Sequence, residues 1–130
     1  IEAGFPYSSP GDFDAVQRIA SEVKGSTICG LSLCRLEGID RTAEALSAGK
    51  NVRLHAFLST SPQHREGILR KSRQEVLQMA VSSVERARSQ IDEVEFSPMD
   101  ATRTEFDGEE YSITVDLAPA AETATGKGTG

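Results

Sequence analysis

From residue 1 to about residue 97 short apolar runs alternate with amphipathic stretches, and this alternation is the tightest constraint on the fold. A parallel strand cannot return through a tight turn, so strand and helix-length stretch in regular succession read as β/α units around a parallel sheet. Four strands can be read, at 1–5, 27–33, "VRLHAFLST" and "DEVEFS", with three main helices between them. In "SSPGDFDAVQRIASEVKG", Ser9 is a helix cap, Pro10 takes the first helical position, Asp12 and Asp14 lie in the first turn, and Gly25 lies beyond the end. Phe13, Val16, Ile19, Ala20 and Val23 share the side expected to pack on the sheet. A second helix is expected over 39–48, stopped by a left-handed Gly49. Ser61 caps a short turn beginning at Pro62. Ser72 and Glu75 then form a capping box ahead of "VLQMAVSSVERARSQI", where Val76, Ala80, Val84, Ala87 and Ile91 line one face.

Side chains two apart in a strand share a face. In the third strand Val52, Leu54, Ala56 and Leu58 therefore oppose Arg53, His55, Phe57 and Ser59. In the fourth, Val94 and Phe96 oppose Glu93, Glu95 and Ser97; in the first, Ile1, Ala3 and Phe5 oppose Glu2 and Gly4. A sheet covered by helices on both faces would be apolar on both. One oily and one ionisable face instead suit a barrel with helices outside and a polar interior, so Glu2, His55, Glu95 and Ser97 should converge towards the C-terminal strand ends. The expected fold is a partial α/β (β/α)₈ TIM barrel of about four strands and three main helices.

Each of these residues also has a plain structural reading. A strand histidine is commonly a hydrogen-bonded structural group, a buried carboxylate such as Glu2 needs a partner to offset its desolvation, and Glu95 can simply pair with Arg53. Cys29 and Cys34 lack the spacing of a zinc knuckle or a Cys-x-x-Cys motif and read as reduced core thiols, which favours the cytoplasm. Over 130 residues the net charge is -6 and the basic residues do not cluster, which argues against a nucleic-acid surface. No stretch has the length of a membrane span. After Asp107 the character changes: one alternating stretch over 111–117 gives way to small polar residues, Pro and Gly, expected to form a flexible tail.

"IEAGFPYSSPGDFDAVQRIASEVKG", "HAFLSTSPQH", "KSRQEVLQMAVSSVERARS" and "VEFSPMDATRT" together resemble, in unbroken order over residues 1–107, the α-isopropylmalate synthase family and its homocitrate and citramalate synthase relatives. The resemblance implies a metal-dependent (β/α)₈ barrel that condenses acetyl-CoA with a 2-oxo acid, 3-methyl-2-oxobutanoate in leucine biosynthesis, and releases CoA. A divalent metal (Mg²⁺, Mn²⁺ or Zn²⁺) would polarise the oxo group. Glu2 matches a glutamate that orients a catalytic arginine, giving Glu2 and His55 catalytic parts; His55, Thr60 and Ser97 match positions lining the substrate pocket. The complete family enzyme would be a homo-oligomer in the cytoplasm, or in the plastid stroma of a plant.

The departures are as specific as the matches. The family's "TLRDGEQ"-like strand, its His-x-His pair and a later Asn, which supply the metal ligands, do not occur here, so the first strand is expected to be internal to such a protein and the chain inactive by itself. Met99 stands where relatives commonly carry Glu, and Leu33 where they often carry Arg. Residues 108–130 faintly resemble the entrance to the family's regulatory domain. Two alternatives stay open: a non-catalytic half-barrel that docks on a synthase or on itself, and a related synthase using another 2-oxo acid.

Overall fold

A computed structural model describes residues 1–105 of the chain. The expected strand at 111–117 and the expected tail at 108–130 lie outside the described residues. The elements run in the order β1 (Glu2–Gly4), α1 (Pro10–Glu22), β2 (Ile28–Leu33), α2 (Leu36–Leu46), β3 (Val52–Ser59), the short α3 (Pro62–His64) continuing as a π-helical turn over Arg65–Leu69, α4 (Arg73–Arg88), β4 (Val94–Met99) and a 3₁₀ turn over Ala101–Arg103. The four strands form one parallel sheet in chain order. Helices α1, α2 and α4 pack against one face of it, which is the arrangement of three consecutive β/α units and a fourth strand of a barrel wall.

Local chemistry accounts for the two helices most visible in the sequence. The Ser9 hydroxyl accepts from the Asp12 amide with Pro10 opening α1, while Ser72 and Glu75 complete a reciprocal capping box at α4. Phe13, Val16 and Ala20 are buried, with Ile19 and Val23 packed at the margin. The core continues through Ile28, Ile39, Leu46, Leu54 and Val76. Burial of each large aliphatic group stabilises the fold by about 1.5–3 kcal/mol.

Four expectations need correction. Helix α2 begins at Leu36 rather than 39, because the connection from β2 is only Cys34 and Arg35, and Arg35 makes no side-chain cap. Gly49 is not in the left-handed region, where the glycines among the described residues are Gly4 and Gly25. It is small because its Cβ would lie 2.8 Å from the Ala20 carbonyl oxygen and 2.7 Å from Val52. On α4 the buried stripe is Val76, Ala80, Ser83 and Ala87, since alternating steps of four and three follow the helix more closely than Val84 does, and the Ser83 hydroxyl bonds Cys34.

The fourth correction concerns β1. Its register with β2 shifts between Glu2 and Gly4, and Gly4 has φ +146°. Gly4 therefore turns towards α1, where its Cβ would lie 3.2 Å from Val16, and Phe5 turns to the other face, edge-on to Phe57 at 6.1 Å. Simple alternation placed these two residues the other way round. A local irregularity of this kind re-aims side chains near strand ends.

Candidate functional site

The face of the sheet away from the helices carries the polar set that alternation assigned to it. Register across β2, β3 and β4 sets Cys29 beside Arg53, Leu31 beside His55 and Glu95, and Leu33 beside Phe57 and Ser97. Glu2 pairs with Cys29 from β1. Glu2, Cys29, His55 and Ser97 thus come from four neighbouring hydrogen-bonded strands, and their spacing is fixed by the sheet rather than by a loop.

His55 is the centre of the group. Its Nδ1 lies 2.7 Å from Glu2 Oε1 and its Nε2 2.7 Å from Ser97 Oγ. An ionised carboxylate accepts only, so in the neutral imidazole Nδ1–H donates to Glu2 and Nε2 accepts the Ser97 hydroxyl proton. Glu95 Oε1 stands 3.9 Å from the same Nε2. Arg53 donates to Glu93 and lies 3.6 Å from Glu95, so Glu95 sits between a guanidinium and the imidazole. The imidazole is 14% exposed against 56% for Glu2, so the carboxylate meets solvent and the ring is sheltered.

Beside His55 and Ser97 lies a cavity of about 290 Å³, whose other walls are Phe5, Leu31, Phe57 and Met99. Its lining is apolar apart from the two hydrogen-bonding side chains, an arrangement that suits a small ligand with a polar end and a hydrocarbon end. Met99 lines this cavity and Leu33 belongs to the same face.

The structure brings Glu2, His55, Glu95 and Ser97 together and sets Thr60 elsewhere. The Thr60 hydroxyl pairs with that of Thr104 at 2.7 Å, and its carbonyl accepts from Arg65, which also holds Glu105. Thr60 lines a second groove of about 850 Å³ between α4 and β4, with Phe96 and Glu105. Cys29 is a free thiol, as expected. It is buried, but on the polar face, with its thiol within 4.8 Å of ligating atoms of Glu2 and His55. Desolvation, then Glu2 and Glu95, pushes its thiol up to about 11. Cys34 lies in the core as expected, raised to about 11 by burial. Reading β2 by the same alternation used for its neighbours would have put Cys29 on the face of Arg53 and His55.

The donors expected for the family's divalent ion are not met among the described residues. The second histidine, His64, faces Asp100 at 3.9 Å rather than His55. One group of three ligating side chains does converge, Glu2, Cys29 and His55, but its mixture of sulfur, nitrogen and oxygen is not the Asp and paired-His set of the resemblance. Among the described residues no helix is long and apolar enough to cross a membrane.

A parallel sheet with helices on one face and a polar set on the other is part of the wall of a (β/α) barrel. A family model described as HMGL-like matches residues 1–118, and the chain belongs to that family. The 2-isopropylmalate synthase of Rhodopirellula baltica is 53% identical over 107 residues, which are 82% of this chain and 20% of that protein. The synthase of the same name from Rhodopseudomonas palustris (strain TIE-1) is 52% identical over 107 residues, again 82% of this chain and 20% of the relative. That of Nitrosomonas europaea is 50% identical over 107 residues, 82% of this chain and 21% of it. These matches bear out the resemblance carried by the motifs. The chain spans about a fifth of the length of the curated relatives it matches.

Proposed function

We propose that this chain supplies part of the substrate wall of a 2-isopropylmalate-synthase-type acyltransferase, which joins acetyl-CoA to 3-methyl-2-oxobutanoate. The observation that carries the reading is the pair of 2.7 Å hydrogen bonds that hold His55 between Glu2 and Ser97 beside an apolar cavity. On binding, the Ser97 hydroxyl would turn from Nε2 and donate to the oxo-acid end, Glu2 orients the ring, and Phe5, Leu31, Phe57 and Met99 receive the branched alkyl end. That lining favours an aliphatic 2-oxo acid over 2-oxoglutarate, whose second carboxylate would meet no cation among the described lining residues. Thr60 acts through the loop after β3 rather than by touching the oxo acid. Condensation belongs to the assembled barrel, in which residues 1–107 form part of the catalytic domain and 108–130 a piece of the regulatory region.

Titration with 3-methyl-2-oxobutanoate, followed by imidazole ¹⁵N resonances, is expected to move the His55 signals and leave those of His64 in place. CoA release from acetyl-CoA by the chain alone is expected to stay at background. Unmoved His55 signals would remove the substrate pocket from the reading, and robust turnover would remove the need for an assembled barrel.

A second reading, a half-barrel that associates with a second copy, is favoured by the sheet edges. Among the described residues β1 and β4 each have one neighbouring strand, and the groove beside β4 exposes Leu77. Unpaired parallel edges are templates for further pairing. Light scattering over a range of concentrations separates the two: a constant monomer mass excludes self-association.

A further inference from the structure

We propose that Glu2, Cys29 and His55 form a binding site for a thiophilic divalent cation, of the Zn²⁺ or Co²⁺ type, distinct in its donors from the Asp and paired-His set that the family resemblance implies. One oxygen, one sulfur and one nitrogen donor lie within 4.8 Å of one another, and each comes from a different strand of the same sheet. Tetrahedral zinc with bonds of about 2.0–2.3 Å needs donors roughly 3.3–3.8 Å apart. Glu2 is the exposed and adjustable member, whereas Cys29 and His55 are held by the β2 and β3 ladder. Three protein ligands leave a fourth position open to water or an exogenous ligand.

The surroundings suit this occupant. Nδ1 faces Glu2, so it is the ligating nitrogen; the ring proton then moves to Nε2 and is donated to Ser97 Oγ, 2.7 Å away, which is how ligating histidines are commonly oriented. Glu95, 3.9 Å from Nε2, adds negative charge beside the imidazole. Cys29 gives up its thiol proton on binding, and the cation offsets the burial and the two carboxylates that otherwise keep it protonated. A thiolate donor selects zinc or cobalt over Mg²⁺, which takes oxygen ligands. This assignment does not depend on the acyltransferase reading.

Titration of the chain with Co²⁺ provides the test. A thiolate-to-cobalt charge-transfer band saturating at one ion per chain is expected, lost in Cys29→Ser, kept in Cys34→Ser, displaced by Zn²⁺ and untouched by a large excess of Mg²⁺. Absence of the band, its persistence in Cys29→Ser, or its displacement by Mg²⁺ overturns the site. Should Cys29→Ser fail to fold by circular dichroism, the Cys34→Ser variant decides, because Cys29 is then its single thiol. Its zinc K-edge spectrum must contain a sulfur shell, and a shell of oxygen and nitrogen alone overturns the proposal.

Discussion

His55 and Glu2 stand 53 positions apart in the chain and meet at 2.7 Å across β2. That contact selects the Nδ1–H tautomer and leaves Nε2 free to accept from Ser97. Glu2→Ala is expected to lower the Nδ1–H population of neutral His55, and Ser97→Ala to leave it dominant. Imidazole ¹⁵N chemical shifts measure both, and an unchanged tautomer ratio in Glu2→Ala would mean that the carboxylate does not orient the ring.

Gly30 lies in β2 under α2, where an added Cβ would fall 2.8 Å from Thr42 Cγ2 and 3.3 Å from two Leu46 atoms. Gly30→Ala is expected to destabilise the chain by about 1–3 kcal/mol, the range for overpacking a filled core. Gly67→Ala, with nothing within 4 Å, is the comparison and should scarcely alter the urea midpoint. Equal midpoints for both variants would contradict close packing of α2 on β2.

The capping box at α4 makes a separate prediction. Removing the Ser72 hydroxyl leaves the Glu75 amide without its acceptor, so Ser72→Ala should cost about 1 kcal/mol in chemical denaturation. Ser72→Asp, which keeps an acceptor at the cap, should recover most of the loss. If both variants unfold at the wild-type midpoint, the box contributes nothing to stability.

Cys29 and Cys34 are both raised from 9.0 to about 11, so the folded state holds their protons more tightly than the unfolded chain does. The stabilisation is therefore complete below pH 9.0 and is lost as pH rises from there through about 11. Each thiol contributes on the order of 2 kcal/mol to that loss by linkage. Denaturation midpoints followed between these pH values should fall less steeply in Cys34→Ala than in the wild type, and parallel slopes would argue against the shift at Cys34.

The elements legible in the sequence are those whose signals are local. Ser9 with Pro10, and Ser72 with Glu75, announce helix starts because their own hydroxyls and carboxylate satisfy the first amides. Strand β3 was readable because its faces differ in polarity. The start of α2 was hidden, since Arg35 caps nothing and the connection is two residues long. Gly49 looked like a stop signal, but its small size serves a contact with Ala20, far away in the chain. The grouping of Glu2, Cys29, His55 and Ser97 on one face follows from alternation within strands, whereas the place of Thr60 depends on the loop after β3 and on its pairing with Thr104. Neither is written in any short run of residues.

The slip in β1 at Gly4 has a consequence for how little chain the pocket needs. Glu2 and Phe5 are three apart, an odd interval that a straight strand would split between its two sides, yet both serve the same wall. A larger residue that straightened this turn would send either the carboxylate or the phenyl ring to the face that carries His55, never the two together.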